Sequence, residues 1–246
     1  MKVILVASGK GGTGKTSFTA GVGAALAQGG SRVLLIDGDC GLRNLDLALG
    51  MSDRVVYSFA DVAGGAVPLQ DAAASHPQYA SLSLLTAPVA LPALSERGME
   101  QLAVQAEEAG FDYLLIDGPA GLPAELSFLA YIAMQAVVVA TPDSASIRGA
   151  ERCARKLEEE YCIARIRMIL NRVRPRMIAR GQAANIDDAM DSAGLPLLGI
   201  VPEDEDMIGC GNSGISILEK KQGGAARAFR NIARRLGGER VPLMKF

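Results

Sequence analysis

The sequence is poor in the residues that build metal knuckles, disulfide frameworks and histidine-based active sites. Its four cysteines include no C-x-x-C pair, which excludes a zinc knuckle and a dithiol redox motif. The single histidine, His76, precedes a proline in a loop-like stretch, and we expect it to lie at the surface without a catalytic role. We expect reduced thiols, as in cytosolic proteins, at Cys40, Cys153, Cys162 and Cys210.

Long apolar runs are also absent. No stretch reaches the roughly 20 apolar residues that a membrane-spanning helix needs. The N-terminal run over residues 3–7 is too short for the apolar region of a signal peptide. We therefore predict a cytoplasmic protein whose contact with a membrane, if any, is peripheral. The formal net charge of -2 argues against an overall nucleic-acid-binding surface, so nucleic acid is not an expected partner.

Short apolar runs and helical stretches alternate along the chain. Apolar residues make up 49% of the 246 residues, which is enough for one substantial core. The alternation is typical of an α/β fold with a doubly wound, mostly parallel sheet and helices on both faces. We predict one domain over residues 1–238 and a C-terminal tail over residues 239–246. The predicted strands are residues 3–7, 33–36, 82–85, 113–116, 136–140, 166–170 and 197–201, and the clearest helices are residues 16–28, 95–109 and 144–160.

A glycine-rich loop follows the first predicted strand. Residues 9–16 read G-K-G-G-T-G-K-T, which fits the pattern G-x-x-x-x-G-K-[ST], and a predicted helix follows at once. The glycines let backbone N–H groups surround phosphates, and the helix dipole favours the negative charge of those phosphates. Lys15 adds positive charge at the β- and γ-phosphates, and Thr16 offers its hydroxyl to Mg²⁺. The loop therefore predicts that the chain binds Mg²⁺ together with ATP or GTP.

Three aspartates follow predicted strands. Asp37 and Asp39 come after the second strand, and Asp117 follows a later one. One such aspartate is often only a turn or capping residue, but three in register with a phosphate loop indicate a site. Since ligands bind at the carboxyl ends of parallel strands, we expect these carboxylates to converge on the loop. Asp117 then suits Mg²⁺ directly, Asp37 suits its outer shell, and Asp39 suits the attacking water.

Lys10 is a second lysine inside the loop, which a general phosphate loop does not require. Its side chain is expected to point away from the nucleotide below it and toward a second subunit. The string K-G-G-T-G-K-T resembles the deviant Walker A loop of the P-loop ATPase family that contains MinD, ParA and nitrogenase iron protein. This resemblance implies that Lys10 crosses a homodimer interface to the partner's phosphates.

Two further strings resemble the MinD family of septum-site-determining ATPases. D-G-D-C-G-L-R-N-L-D-L-A-L-G, residues 37–50, is similar to its switch I region, and D-G-P-A-G, residues 117–121, is similar to switch II. Matching landmarks run from residue 2 to about residue 236. The resemblance implies that Asp143 replaces a family glutamate that meets the crossing lysine, and that Asn171 and Pro202 hold adenine. The expected catalytic residues are Lys10, Lys15 and Asp39; the expected Mg²⁺ residues are Thr16, Asp37 and Asp117; the expected interface residues are Lys10 and Asp143; the expected ATP-binding residues are Gly9, Lys10, Gly11, Gly12, Thr13, Gly14, Lys15, Thr16, Ser17, Asn171 and Pro202.

The resemblance implies a slow, partner-stimulated ATPase that dimerises with ATP and positions the division septum. Its implied partners are a MinC-like division inhibitor and a MinE-like activator. One alternative is a ParA-like or flagellar-number ATPase that acts on DNA or on a flagellar regulator. A second is an iron–sulfur carrier, against which the absence of cysteine between Cys40 and Cys153 argues. A third is a nucleotide-binding module without hydrolysis, against which Asp39 and Asp117 argue.

Two positions depart from the family pattern. Members of the family often carry an aspartate where this chain has Gly149. They also usually end in a basic amphipathic helix that lies on the membrane, whereas Pro242 breaks any such helix here. Leu243, Met244 and Phe246 then form either a weak membrane contact or a frayed end.

Overall fold

A single eight-stranded sheet forms the centre of the protein. The computed structural model describes residues 1–40, 42–90, 92–121, 123 and 127–244. The strand order is β3-β4-β2-β5-β1-β6-β7-β8, and every pairing is parallel except that of β3 with β4. All seven predicted strands are confirmed, and the two-residue edge strand β3 is additional. The strands are β1 Lys2–Ser8, β2 Val33–Asp37, β3 Ala74–Ser75, β4 Leu82–Leu85, β5 Tyr113–Ala120, β6 Gln135–Ala140, β7 Ile166–Val173 and β8 Leu197–Pro202.

Helices cover both faces of the sheet, so the predicted doubly wound α/β class is confirmed. No helix within the described ranges is both long and apolar enough to cross a bilayer. The helices are α1 Lys15–Gln28, α2 Leu45–Ala48, α3 Phe59–Ala63, α4 Leu69–Ala72, α5 Glu96–Glu108, α6 Ser127–Tyr131, α7 Ser144–Tyr161, α8 Pro175–Ala179, α9 Ile186–Ala193, α10 Asp206–Ser213, α11 Ile217–Lys220 and α12 Gly224–Gly237.

Side chains of β1 alternate between two separate hydrophobic cores. Val3 and Leu5 join the core formed with α3, α5, α7 and α9. Ile4 and Val6 join the core formed with α1, α2 and α12. Because successive side chains of a strand point to opposite faces, a run that is apolar throughout must be covered on both sides. This double burial explains why the short apolar runs predict the strands so well.

The parallel strands place their carboxyl ends at one edge of the sheet. β1 runs directly into the phosphate loop, and its neighbour β5 brings Asp117 level with Val6. On the far side of β5, Asp37 of β2 pairs in register with Asp117. The predicted convergence of these strand ends is therefore confirmed at the level of the backbone.

Two expectations for the periphery of the chain change in the structure. His76 is not a surface residue, since it is only 5% exposed. Met244 packs against the core that contains α12, and Arg235 donates hydrogen bonds to the backbone oxygens of Val241 and Pro242. The tail therefore lies against the domain as far as Met244, with Leu243 half-exposed. Phe246, the third suggested membrane contact, lies outside the described residues.

Candidate functional site

The phosphate loop needs glycine for two different reasons. Gly12 and Gly14 have φ of +75° and +91°, in the left-handed region that side chains disfavour. Gly9 instead packs against α7, since a Cβ on Gly9 would lie 1.9 Å from the carbonyl oxygen of Gly149. A Cβ on Gly149 would in turn lie 3.2 Å from the carbonyl carbon of Gly9. Gly149, where members of the family often carry an aspartate, therefore lies at a close contact between α7 and the loop.

The N-terminus of α1 provides anion-binding groups. Gly14 is its N-cap, no side chain among the described residues caps it, and its first turn has no acidic residue. Its first N–H groups thus lack intrahelical acceptors and face the loop, which is the arrangement that binds phosphate. The Thr13 hydroxyl is buried and has no hydrogen-bond partner within the described part of the chain. These unsatisfied donors fit a nucleotide phosphate chain.

Lys15 lies at the base of the loop. Its Nζ donates to Ser8 Oγ at 3.1 Å, and Ser8 Oγ donates to the backbone oxygen of Lys10 at 2.8 Å. Burial lowers the pKa of Lys15, although the carboxylates of Asp117 and Asp39 oppose this effect. Ser8, the last residue of β1, is not part of the motif, and it ties the Lys15 side chain to the end of the strand.

Asp117 is a deeply buried carboxylate of the site, with only 1% of its surface exposed. Its Oδ2 accepts from Thr16 Oγ1 at 2.6 Å, and its Oδ1 accepts from Thr19 Oγ1 at 3.2 Å. Burial raises the pKa of Asp117 to about 7; the hydrogen bond from Thr16 opposes burial, whereas the neighbouring Asp37 adds to it. Thr16 and Asp117 thus come together as predicted. Sequence reasoning missed Thr19, whose only signal is its position one helical turn after Thr16.

Asp37 organises the segment that follows β2. It is fully buried, and its two oxygens accept from the backbone N–H groups of Asp39 and Leu45, each at 3.0 Å. Burial raises the pKa of Asp37, and these two hydrogen bonds oppose that rise. Asp39 is half-buried, and its backbone oxygen accepts from Leu42 and Arg43. Gly41, part of the switch I string, lies outside the described residues.

The two residues expected to hold adenine line one cavity. Asn171 and Pro202, with Gly14 of the loop and Ser17 of α1, border a cavity of about 120 Å³. Asn171 is buried, and its Nδ2 donates to the backbone oxygen of Thr13 at 2.8 Å. The structure therefore brings both residues beside the loop, and it ties Asn171 to the loop backbone.

Lys10 and Asp143 form an ion pair on the other side of the loop. Lys10 Nζ lies 3.2 Å from Asp143 Oδ1, and the side chains are 51% and 48% exposed. Asp143 also caps α7 by accepting from the Ser146 N–H, and it accepts from the Thr141 hydroxyl. Burial alone would raise the pKa of Asp143, but the hydrogen bonds from Thr141, Ser146 and Lys10 lower it below its usual value. The expected interface lysine is therefore held within its own chain here.

The chain is similar to known proteins over nearly its whole length. A family model described as the CobQ/CobB/MinD/ParA nucleotide binding domain matches residues 4–217. Septum site-determining protein MinD of Synechocystis sp. is 40% identical over 248 residues, which cover 100% of this chain and 92% of that protein. The MinC:MinD cell division protein complex of Aquifex aeolicus is similar with a TM-score of 0.93 and 35% identity, over 100% of this chain and 99% of that one. The septum site-determining protein MinD of Pyrococcus horikoshii, complexed with Mg-ADP, has a TM-score of 0.82 and 29% identity, over 96% of this chain and 95% of that one.

Proposed function

The chain belongs to the CobQ/CobB/MinD/ParA nucleotide-binding family and, within it, to the septum site-determining MinD proteins, and from this membership we propose that it is an ATP-driven switch that positions the division septum. It binds Mg-ATP, dimerises, and returns to the monomer when ATP is hydrolysed. The observation that carries this proposal is the presence of two loop lysines with different partners: Lys15 points to the base of the loop, and Lys10 points outward to Asp143.

The residues present fit Mg-ATP. The Thr16 hydroxyl and the carboxylates of Asp117 and Asp37 are hard oxygen donors, which suit Mg²⁺ and leave room for water and phosphate ligands. The loop N–H groups and the α1 N-terminus suit the phosphates. When bound, Mg-ATP supplies the phosphoryl group that is transferred to water. Asn171 and Pro202 border the cavity next to the loop that we assign to adenine.

Each charged side chain then has a distinct task. Lys15 neutralises charge on the phosphates of its own subunit. Asp39 accepts a hydrogen bond from the attacking water and thereby orients it. Lys10 leaves Asp143 and supplies its charge to the partner's phosphates. This exchange costs little, because an ion pair that is half-exposed at both ends contributes only about 0–1 kcal/mol.

We propose a division inhibitor of the MinC type as a partner, because the similar Aquifex aeolicus structure is a MinC:MinD complex. An activator of the MinE type would stimulate hydrolysis. We place the chain in the cytoplasm, with peripheral contact at the inner face of the cell membrane. In the folded tail Leu243 is exposed and available for such contact, whereas Met244 packs against the domain and would have to move to take part.

The mass of the protein in solution tests the switch. We would measure wild type, Lys10→Ala and Asp39→Ala with Mg-ATP or Mg-ADP. Lys220→Ala is a matched control, because Lys220 is also 51% exposed and also pairs with an aspartate. We expect ATP-specific dimers in wild type, Asp39→Ala and Lys220→Ala, and monomers in Lys10→Ala. A mass that is independent of nucleotide would contradict the crossing-lysine mechanism.

The same ATP samples also test the proposed location. We would sediment them with anionic liposomes and compare the bound fraction in Mg-ATP and Mg-ADP. ATP-dependent co-sedimentation supports the membrane-associated switch. Dimers that form but stay in solution, and instead bind DNA, would favour the ParA-like alternative.

A further inference from the structure

The buried carboxylate of Asp117 accepts hydrogen bonds from hydroxyl groups on two successive turns of α1. Thr16 and Thr19 are three residues apart in α1, so their side chains lie on the same helix face. Thr16 donates to one carboxylate oxygen at 2.6 Å, and Thr19 donates to the other at 3.2 Å. Thr19 is fully buried, so water does not replace its hydroxyl. The two ends of the carboxylate are therefore both tied to α1.

Two hydrogen bonds fix the orientation of the Asp117 carboxylate more firmly than one. The terminal torsion of an aspartate side chain is broad and roughly two-fold, so one hydrogen bond restrains rotation of the carboxylate about its Cβ–Cγ bond less than two hydrogen bonds do. The Thr16 hydroxyl also serves as the Mg²⁺ ligand in the proposed function. Thr19 is not among the expected Mg²⁺ ligands, and its contact with the second oxygen restrains the carboxylate plane independently of the metal.

Local backbone structure fixes Thr19 in turn. Its Oγ1 also donates to the backbone oxygen of Lys15, four residues earlier in α1, at 3.0 Å, so the one hydroxyl hydrogen is shared between this carbonyl and Asp117. A threonine in a helix has few rotamers, and this one brings Oγ1 within reach of both the carbonyl and Asp117. The same turn of α1 that carries Lys15 and Thr16 thus sets the direction of the Thr19 hydroxyl.

We propose that Thr19 is a positioning residue that holds the Asp117 carboxylate in the orientation required for Mg²⁺ at the nucleotide site. This proposal rests on the proposed function, because it needs Mg²⁺ to be bound beside Thr16 and Asp117. Removing a residue that hydrogen-bonds to a metal-binding carboxylate typically lowers the affinity for the metal about 10–100-fold. A hydroxyl that served only to stabilise α1 would have no such effect on the metal.

The test is the gain in ADP affinity on adding Mg²⁺. We would measure binding of a fluorescent ADP analogue in Mg²⁺ and in EDTA for wild type, Thr19→Val, Thr19→Ser and Thr19→Cys. Thr86→Val is the matched control, because Thr86 is also buried, at 2% exposure, and carries the same substitution away from Asp117. Urea unfolding of each variant without nucleotide separates folding from binding.

We expect the gain in ADP affinity on adding Mg²⁺ to be about tenfold smaller in Thr19→Val and Thr19→Cys than in wild type, while their ADP affinity in EDTA stays near the wild-type value. Thr19→Ser and Thr86→Val should keep the gain within about twofold. If Thr19→Val does not fold, Thr19→Cys carries the test, since it is smaller and donates only weakly. Equal gains in wild type and in the Val or Cys variant would overturn the Thr19 proposal alone. A wild type without any Mg²⁺-dependent gain would instead overturn the proposed Mg²⁺ site, and the Thr19 proposal with it.

Discussion

At the residue scale, burial and hydrogen bonding decide the protonation state of His76. Its Nδ1 accepts from the backbone N–H groups of Gln78 at 3.1 Å and Tyr79 at 3.2 Å. A nitrogen that accepts hydrogen bonds carries no proton, so the folded protein holds the imidazole neutral. Burial accordingly lowers the pKa of His76, although the Leu49 backbone and Glu219 oppose this effect.

This arrangement predicts a pH dependence of stability. The unfolded chain gains a proton on His76 as pH falls through about 6.5, and the folded chain does so only at lower pH. The free energy of unfolding therefore decreases as pH falls through this window. We expect His76→Gln to remove this pH-dependent contribution. The free energy of unfolding of variant and wild type, measured by urea unfolding without nucleotide at pH 7.5, 6.5 and 5.5, gives the difference between them at each pH.

Asp117 titrates in the same window with the opposite sign. Its pKa is raised to about 7, so its contribution to stability is present at low pH and lost as pH rises. Wild type and His76→Gln both contain Asp117, so its contribution cancels when their free energies of unfolding are subtracted. A difference that does not change with pH would show that His76 titrates alike in the folded and unfolded chain.

At the element scale, the sequence predicts what local patterns determine. The phosphate loop and the seven longer strands follow from residue types at fixed spacing, and Thr16 meets Asp117 because parallel strands end at one edge. β3 has only two residues and therefore no periodicity to detect. The proline after His76 indicates a turn but not its burial. Thr19 belongs to no recognised motif, so no pattern in the sequence indicates its contact with Asp117.

The packing of α7 on the phosphate loop yields a prediction for two neighbouring glycines. Gly9→Ala should destabilise the protein by about 3 kcal/mol, because the new methyl group meets the Gly149 carbonyl of α7 and the backbones must separate. Gly11→Ala should change stability by less than about 0.5 kcal/mol, since a Cβ there has no atom within 4 Å. Urea unfolding without nucleotide measures both, and similar values for the two variants would disprove close packing at Gly9.

At the scale of the whole molecule, dimerisation should appear in thermal stability. Association of folded chains makes the melting temperature depend on protein concentration. In Mg-ATP we expect Asp39→Ala to melt about 2 °C higher for each tenfold rise in protein concentration. The double variant Lys10→Ala with Asp39→Ala should lose this dependence, and Mg-ADP should abolish it in both. Scanning fluorimetry over a hundredfold concentration range would reveal any dependence that survives without Lys10.

The position of β1 in the sheet has a consequence for protein synthesis. β1 leaves the ribosome before the other strands, yet its two neighbours are β5, which begins at Tyr113, and β6, which ends at Ala140. The strand that leads into the phosphate loop therefore has no neighbour until translation reaches Tyr113, and its second neighbour is complete only at Ala140, past the middle of the chain. Asp143 and Asn171, which contact the loop, emerge later still. A nascent chain thus completes its nucleotide site only after Asn171 has been translated.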